Sequence, residues 1–363
     1  MKAPSRAVAA SYDGSVVVGT LDTTPPTGFR EENGVDTLVI APCAACGFEP
    51  RDVDGGGSVI VGGFYVPLQE EEAALWTPTA FEPMGALPTP GQTTSRARAV
   101  SASGAVSTGR SSTERNPLYS NGAPFGQDAF RWTRPTGPMV GIASEPSYTE
   151  AYGDENVGNG ISADGSTVVG EVAVAVGDGY GGYTYVPFAH TQEGGIVTHT
   201  PPCFPFASGS AEDASADGAR VVGTVSSCGD GPSDAFLWEP GTGLFLNLTQ
   251  HFRDLGLLPA DAYLTDAVAI SDDGTTIAGN GYAAADAYPW VATIPLTPTC
   301  GSTDFDGDGD EGTDADIEAF FSAIGGGICP TGTCGSTDFD GDGDEGTDAD
   351  IESFFRRLGG GPC

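Results

Sequence analysis

Basic residues are scarce in this chain. Lys and Arg together number 14 against 50 Asp plus Glu, giving a formal net charge of −36 over 363 residues. A field of that sign repels phosphate, which argues against nucleic acid and anionic membrane surfaces as partners. Long apolar runs are also missing, since no stretch approaches the roughly 18 residues needed for a membrane span. Histidine occurs only at His190, His199 and His251. Among these only His199 lies near a cysteine pair, so zinc is disfavoured despite the Cys43-Ala-Ala-Cys46 spacing. Helix-forming Lys, Gln and Met are few, and no Gly-x-Ser-x-Gly elbow or isolated carboxylate pair marks a hydrolytic centre.

What is abundant is Gly (55 residues), Val, Thr and Ser, with 39% apolar residues, enough to fill a core. That composition reads as mainly β with many turns. Eight cysteines fall as Cys43/Cys46, Cys203/Cys228, Cys300/Cys329 and Cys334/Cys363, the last two pairs with identical spacing. Four disulfides and an oxidising, extracellular or cell-surface location are expected. No signal peptide is visible, because the apolar stretch after Lys2 and Arg6 is broken by Asp13 and Gly14. The expectation is a mature form or fragment whose export signal has been lost.

Compared with itself, the chain repeats the phrase Ala-x-Ser-x-Asp-Gly-(Ser/Thr)-x-Val-Val-Gly. Copies run from Ala9 to Gly19, Gly160 to Gly170, Asp213 to Gly223 and Ala269 to Gly279, with looser ones at Arg51 to Gly62 and Ala99 to Gly109. A second phrase follows, as in Ala129-Phe-Arg-Trp132 and Ala235-Phe-Leu-Trp238, and all four tryptophans occupy its last slot. His190 takes that slot in the fourth repeat, as a packing residue, and the first repeat has only a weak equivalent near Thr37 to Ile40. Short apolar phrases such as Met84 to Leu87 and Leu244 to Leu248 close several repeats.

Asp-Gly between two β-prone runs predicts a tight hairpin, because both residues tolerate positive φ. The Trp phrase supplies a third strand and the closing phrase a fourth. Six four-stranded repeats predict a β-propeller over residues 1–295, with Trp and Ala filling the gaps between blades. A two-sheet sandwich or a solenoid is the alternative. The phrases resemble the bacterial extracellular HAF-type repeat, whose usual form is Ser-x-Asp-Gly-x-x-Val-Val-Gly followed by Ala-Phe-x-Trp. That resemblance implies a secreted or surface protein.

From residue 296 onward the character changes. Cys300 to Glu318 recurs without a difference as Cys334 to Glu352. Asp304, Asp306 and Asp308 stand at positions 1, 3 and 5 of a calcium loop, with Gly309 at the sharp turn and Asp310 at position 7. The second copy supplies Asp338, Asp340, Asp342, Gly343 and Asp344. Position 12 should be acidic, yet Ala315 and Ala349 stand there. A one-residue insertion makes Asp316 and Asp350 the closing ligands, with Asp314 and Asp348 as helix N-cap candidates. Ile317, Phe320, Phe321 and Ile324, and likewise Ile351, Phe354, Phe355 and Leu358, line one face of a short helix ended by glycines. Such helices are too short to stand alone, so the two stripes are expected to pack together. Disulfides Cys300–Cys329 and Cys334–Cys363 are expected to close each copy, each worth roughly 3–4 kcal/mol on the chain-entropy model.

Loop plus helix, twice, resembles the dockerin family, in particular the planctomycete type with cysteine-edged copies. The resemblance implies an EF-hand-like module at residues 296–363 (copies 300–329 and 334–363) that takes two Ca2+ ions and attaches its cargo to a cohesin-like or cell-surface protein. The leading functional expectation is a non-catalytic exported repeat protein held by this module. The alternatives are a polysaccharide-acting hydrolase and a lectin-like binder of glycans.

Overall fold

In the computed structural model, each Asp-Gly phrase forms a hairpin and each hairpin opens a sheet. The structure describes residues 5–67, 71–88, 94–114, 125–135, 137–143, 156–175, 183–201, 208–226, 232–283, 286–294, 301–329, 331–332, 334–339 and 345–359. The chain divides into two compact units, Met1–Ile294 and Pro295–Cys363. None of the described helices is long and apolar enough to cross a membrane.

The first unit is a six-bladed β-propeller. Five sheets are four-stranded antiparallel meanders in sequence order, and the sixth has three strands among the described residues. The first strands are Ser5–Ala10, Gly47–Val53, Ser95–Val100, Val157–Ile161, Gly209–Ala214 and Ala262–Ile270, opening blades 1 to 6. First strands of consecutive blades adjoin, which places them innermost around the axis.

Gly14, Gly57, Gly104, Gly165, Gly218 and Gly274 all have φ between +68° and +75°, the region a side chain disfavours, which is why the turn demands glycine. The glycine ending each phrase answers a different need. A Cβ at Gly223 would collide with the Ser210 carbonyl, and Gly19, Gly62, Gly109, Gly170 and Gly279 face their own first strands in the same way. There the first strand carries a β-bulge, so that Val8, Arg51, Arg98, Asn159, Glu212 and Val268 have no cross-strand partner.

Blades are joined by two devices. Hairpin turns are laced by backbone hydrogen bonds, from Tyr12 N to Gly55 O, Gly55 N to Ala102 O, Ala102 N to Ala163 O, Asp164 N to Ala216 O and Ala216 N to Asp272 O, at 2.9–3.3 Å. Period-2 alternation on the third strands does the rest. Phe236 and Trp238 pack towards blade 4, while Ala235 and Leu237 pack towards blade 6. Phe130 and Trp132 likewise face blade 2. The recurrent Trp is thus a spacer between blades. His190 sits in the same strand position of blade 4, opposite Val168.

One placement is corrected. The third strand of blade 1 is Thr27–Glu32, not Thr37 to Ile40, which belongs to the fourth strand Val35–Val39 and its end. Phe29 lies opposite Gly19 as Phe236 lies opposite Gly223. The slot was hidden because Glu31 stands where blades 2, 3 and 5 carry Trp76, Trp132 and Trp238. The expected single Trp slot fails again in blade 6, where Trp290 lies opposite Gly279 in the position of Phe29 and Phe236.

Inner strands adjoin from blade 1 to blade 6, and among the described residues those of blades 6 and 1 do not adjoin in the same way. Pro289 and Val291 of blade 6 are exposed, whereas Ala235 and Leu237, at the same register in blade 5, are buried. A Cβ on Gly14 would meet nothing within 4 Å, whereas one on Gly218 would press on Thr167 of the preceding blade.

Candidate metal centre

The second unit is built on two loop–helix copies. Helix α2 spans Asp314–Ile324 and α3 spans Asp348–Leu358, after the short α1 (Leu248–Asp254) of the propeller unit. The copies pair through their loops, with Gly301 N donating to Phe339 O and Gly335 N to Phe305 O, both at 2.8 Å. Between them Phe305, Phe320, Phe339 and Phe354 are buried, and the Phe320 and Phe354 rings stack at 4.2 Å. The expected apolar face is only partly buried, since Phe321 and Phe355 are exposed and touch each other at 6.0 Å between centroids.

Two expectations are corrected here. The N-caps are Thr313 and Thr347, not Asp314 and Asp348. Each Thr side chain accepts from the backbone of the acidic residue three positions on, whose carboxylate returns to the Thr N–H, a reciprocal capping box that Asp314 cannot form from inside the first turn. Cys329 bonds to Cys334, with Cα atoms 5.6 Å apart, in place of the expected Cys300–Cys329 and Cys334–Cys363 pairs. Because each copy's entry crosses to the other copy's loop, Cys334 comes beside the end of the first copy. Cys43 and Cys46 bond as expected. Cys203, Cys228, Cys300 and Cys363 lie outside the described residues, as do Asp340, Asp342 and Asp344.

In the first loop, carboxylate oxygens of Asp304, Asp306 and Asp316 lie within 4.8 Å of one another. Gly309 has φ +96°, which permits the sharp turn and lets its N–H reach Asp304 Oδ2 at 3.1 Å. Asp306 Oδ1 accepts from Asp308 N at 3.1 Å, and Asp308 Oδ1 from Asp310 N at 2.9 Å. Asp308 and Asp310 are exposed and stand outside the group of three. Asp304 Oδ1 is buried and has no hydrogen-bond partner.

Asp316, not Ala315, is the inward residue, so the extra position in the loop is real in space. Its Oδ1 accepts from Phe305 N at 2.7 Å and Asp306 N at 3.2 Å, and its Oδ2 from Thr313 N at 2.8 Å and Thr313 Oγ1 at 2.9 Å. Burial would raise this carboxyl, but those donors outweigh it and hold it below the ordinary carboxylate range, hence ionised. Asp306 is pushed up, by burial first and then by the charges of Asp308, Asp316 and Asp304. Asp350 repeats the staple in the second copy, accepting from Phe339 N at 2.6 Å and Thr347 N at 2.7 Å, and Asp338 enters that loop as Asp304 enters the first. Three converging carboxylates on hard oxygen donors suit a cation such as Ca2+ or Mg2+, with backbone carbonyls and water completing a sphere of six or more.

The repeat bulges were missed by sequence reasoning. They fall three residues before the Ser or Asp that opens each turn, at the edge of the repeated phrase, where Val8, Arg51, Arg98, Asn159, Glu212 and Val268 share no residue type that would mark them.

No protein-family model matches the chain, and no curated protein matches it in sequence. Solved structures do. TolB from Acinetobacter baumannii is 14% identical over 67% of this chain and 53% of that one, with a TM-score of 0.43. A putative TolB from Agrobacterium tumefaciens is 14% identical over 82% and 92% of the two chains, at a TM-score of 0.46. The β-propeller domain of the Trilobed protease from Pyrococcus furiosus is 8% identical over 80% and 81%, at a TM-score of 0.49. The chain spans about half the length of the Acinetobacter protein.

Proposed function

We propose that the chain is a non-catalytic, exported repeat protein whose propeller is attached outside the cell through a calcium-folded C-terminal module of dockerin type. The observation that carries this reading is Asp304, whose Oδ1 is buried without a donor while the Asp306 and Asp316 carboxylates converge on it. Leaving a carboxylate oxygen buried and unpaired costs free energy, and a hard divalent cation is the partner that relieves it. Asp304, Asp306 and Asp316 would hold the first ion with Asp308 and the Asp310 backbone. Asp338, Asp340, Asp342, Asp344 and Asp350 would hold the second. Calcium there would tie the start of each loop to its helix.

Two disulfides support an oxidising location, Cys43–Cys46 and Cys329–Cys334. The attachment partner of such a module is a cohesin-like or cell-surface protein. Calorimetric titration of the full chain with calcium tests the reading. Heat of binding at micromolar to millimolar calcium, lost on Asp304→Ala with Asp338→Ala, is the expected result. No heat at about 1 mM calcium, or unchanged heat in the double variant, would sink it.

A further inference from the structure

The inner strands of blades 1 to 3 and their neighbours gather basic residues in an otherwise acidic protein. Arg6, Arg51, Arg96, Arg98 and Arg110 account for five of its 14 Lys plus Arg, and all lie on inner or adjoining strands of blades 1 to 3. A cleft of about 240 Å3 is lined by Arg51, Arg96, Arg98, Asn159 and Glu212, which come from blades 2, 3, 4 and 5 and therefore surround the axis.

The cations of this cleft are unevenly neutralised. Arg96 is satisfied, its Nε donating to Glu71 and its Nη2 to the Tyr65 hydroxyl at 2.7 Å. Arg51 pairs with Glu49 at 2.9 Å through Nη2, but its Nε is buried with no partner. Arg98 donates to a neutral acceptor, Asn159 Oδ1, at 2.6 Å. Asn159 is itself fixed by donating to Ser210 Oγ at 2.9 Å and Ala211 O at 3.1 Å. Neither Arg98 nor Arg110 has a carboxylate at ion-pair distance among the described residues. Burial and then the Arg110 charge push the Arg98 guanidinium below its ordinary value, with Glu171 and Glu212 opposing. Half-buried guanidiniums that repel each other, with carboxylates near Arg98 but none at ion-pair distance, are costly in the empty cleft and favourable once an anion enters.

We propose that this axial cleft binds a small hydroxylated carboxylate, the chemistry of a uronic acid, with Arg51 and Arg98 on the carboxylate and Glu212 accepting from a ligand hydroxyl. The guanidinium fork matches a carboxylate, and Arg98, which lines the cleft and donates to the neutral Asn159 Oδ1, has further N–H groups to offer it. A monoanion suits the site better than a phosphate dianion, because the net charge of −36 and Glu212 repel the second charge. The volume lies below that of pockets for drug-sized ligands, which suits a single ring or a chain end. This inference does not rest on the calcium module.

The test is calorimetry of the full chain in EDTA with glucuronate, glucose and inorganic phosphate as probes. Glucuronate should bind in roughly the millimolar range while glucose gives no heat. Arg98→Ala should weaken binding about tenfold, Arg98→Lys several-fold because it keeps the charge and loses the fork, and Arg356→Ala on the other unit not at all. Absence of glucuronate binding, equal binding of glucose, tighter binding of phosphate, or full affinity in Arg98→Lys would overturn it. EDTA separates the two readings, since failure of the calcium site leaves the glucuronate result standing.

Discussion

The Asp52 carboxylate accepts the Val100 amide at 2.8 Å, so an inner-strand residue of blade 2 is bound to the inner strand of blade 3. Its other oxygen takes the Val53 amide at 2.8 Å. Asp213 makes the same pair of bonds between blades 5 and 6, to Ile270 and Ala214, both at 2.9 Å. Burial, with smaller contributions from neighbouring carboxylates, pushes Asp52 up to about 7 and Asp213 up to about 6 against these donors.

A pH dependence follows, with a definite sign. A folded-state value near 7 against an ordinary value of 3.8 means that the native state holds the Asp52 proton more tightly than the unfolded chain. The contribution to stability is full below about pH 4 and is lost as pH rises towards about 7. Asp52→Asn keeps an oxygen for the Val100 amide and cannot ionise. Its melting temperature, followed by calorimetry across that window, should fall less steeply than that of the wild type. Parallel curves would show that Asp52 is already ionised in the native state.

Gly14 and Gly218 share one backbone conformation, at φ +68° and +71°, but not one environment. Gly14→Ala should cost only the left-handed strain, about 1–2 kcal/mol. Gly218→Ala adds a collision with the Thr167 side chain of blade 4, and a further ~1–3 kcal/mol is expected from overpacking. Denaturant unfolding of the two variants measures the difference. Equal losses would mean that blade 1 is covered as the other blades are.

The turns and the Trp strands were legible because they depend on local chemistry, Asp-Gly at a positive-φ turn and a period-2 alternation around a large ring. The bulges were not, because a bulge exists only in the register of two strands, and Arg51, Arg98 and Glu212 look like ordinary surface residues until that register is known. In the C-terminal unit Asp316 was legible from its spacing. The cap was misplaced because Thr313 and Asp314 are both good capping residues, and the reciprocal bond of Asp316 decides between them. The cysteine pairing was misread because four cysteines allow three connectivities and equal spacing selects none of them.

Thr313→Ala removes the hydroxyl that accepts from the helix and donates to Asp316 Oδ2 at 2.9 Å. A loss of about 1 kcal/mol is expected for the C-terminal unit. Thr313→Ser retains the oxygen and should restore most of it. Calcium affinity should fall with Thr313→Ala as well, because the same carboxylate faces Asp304 and Asp306. Unchanged affinity would place Asp316 in the loop staple alone.

The Cys329–Cys334 bond joins the two copies across a sequence separation of 5. A loop that short stabilises by only about 2 kcal/mol on the chain-entropy model, less than either longer loop expected from the spacing. Its value lies in register, because it holds the end of the first copy beside the entry of the second, where Gly335 N reaches Phe305 O. A non-reducing peptide map should therefore return residues 329 and 334 in one cross-linked fragment. Cys329→Ser should leave Cys334 as the alkylatable thiol, with a modest loss in melting temperature. A map linking Cys329 to Cys300 instead would overturn this pairing, and the role of the bond in holding Cys334 beside the end of the first copy would fall with it.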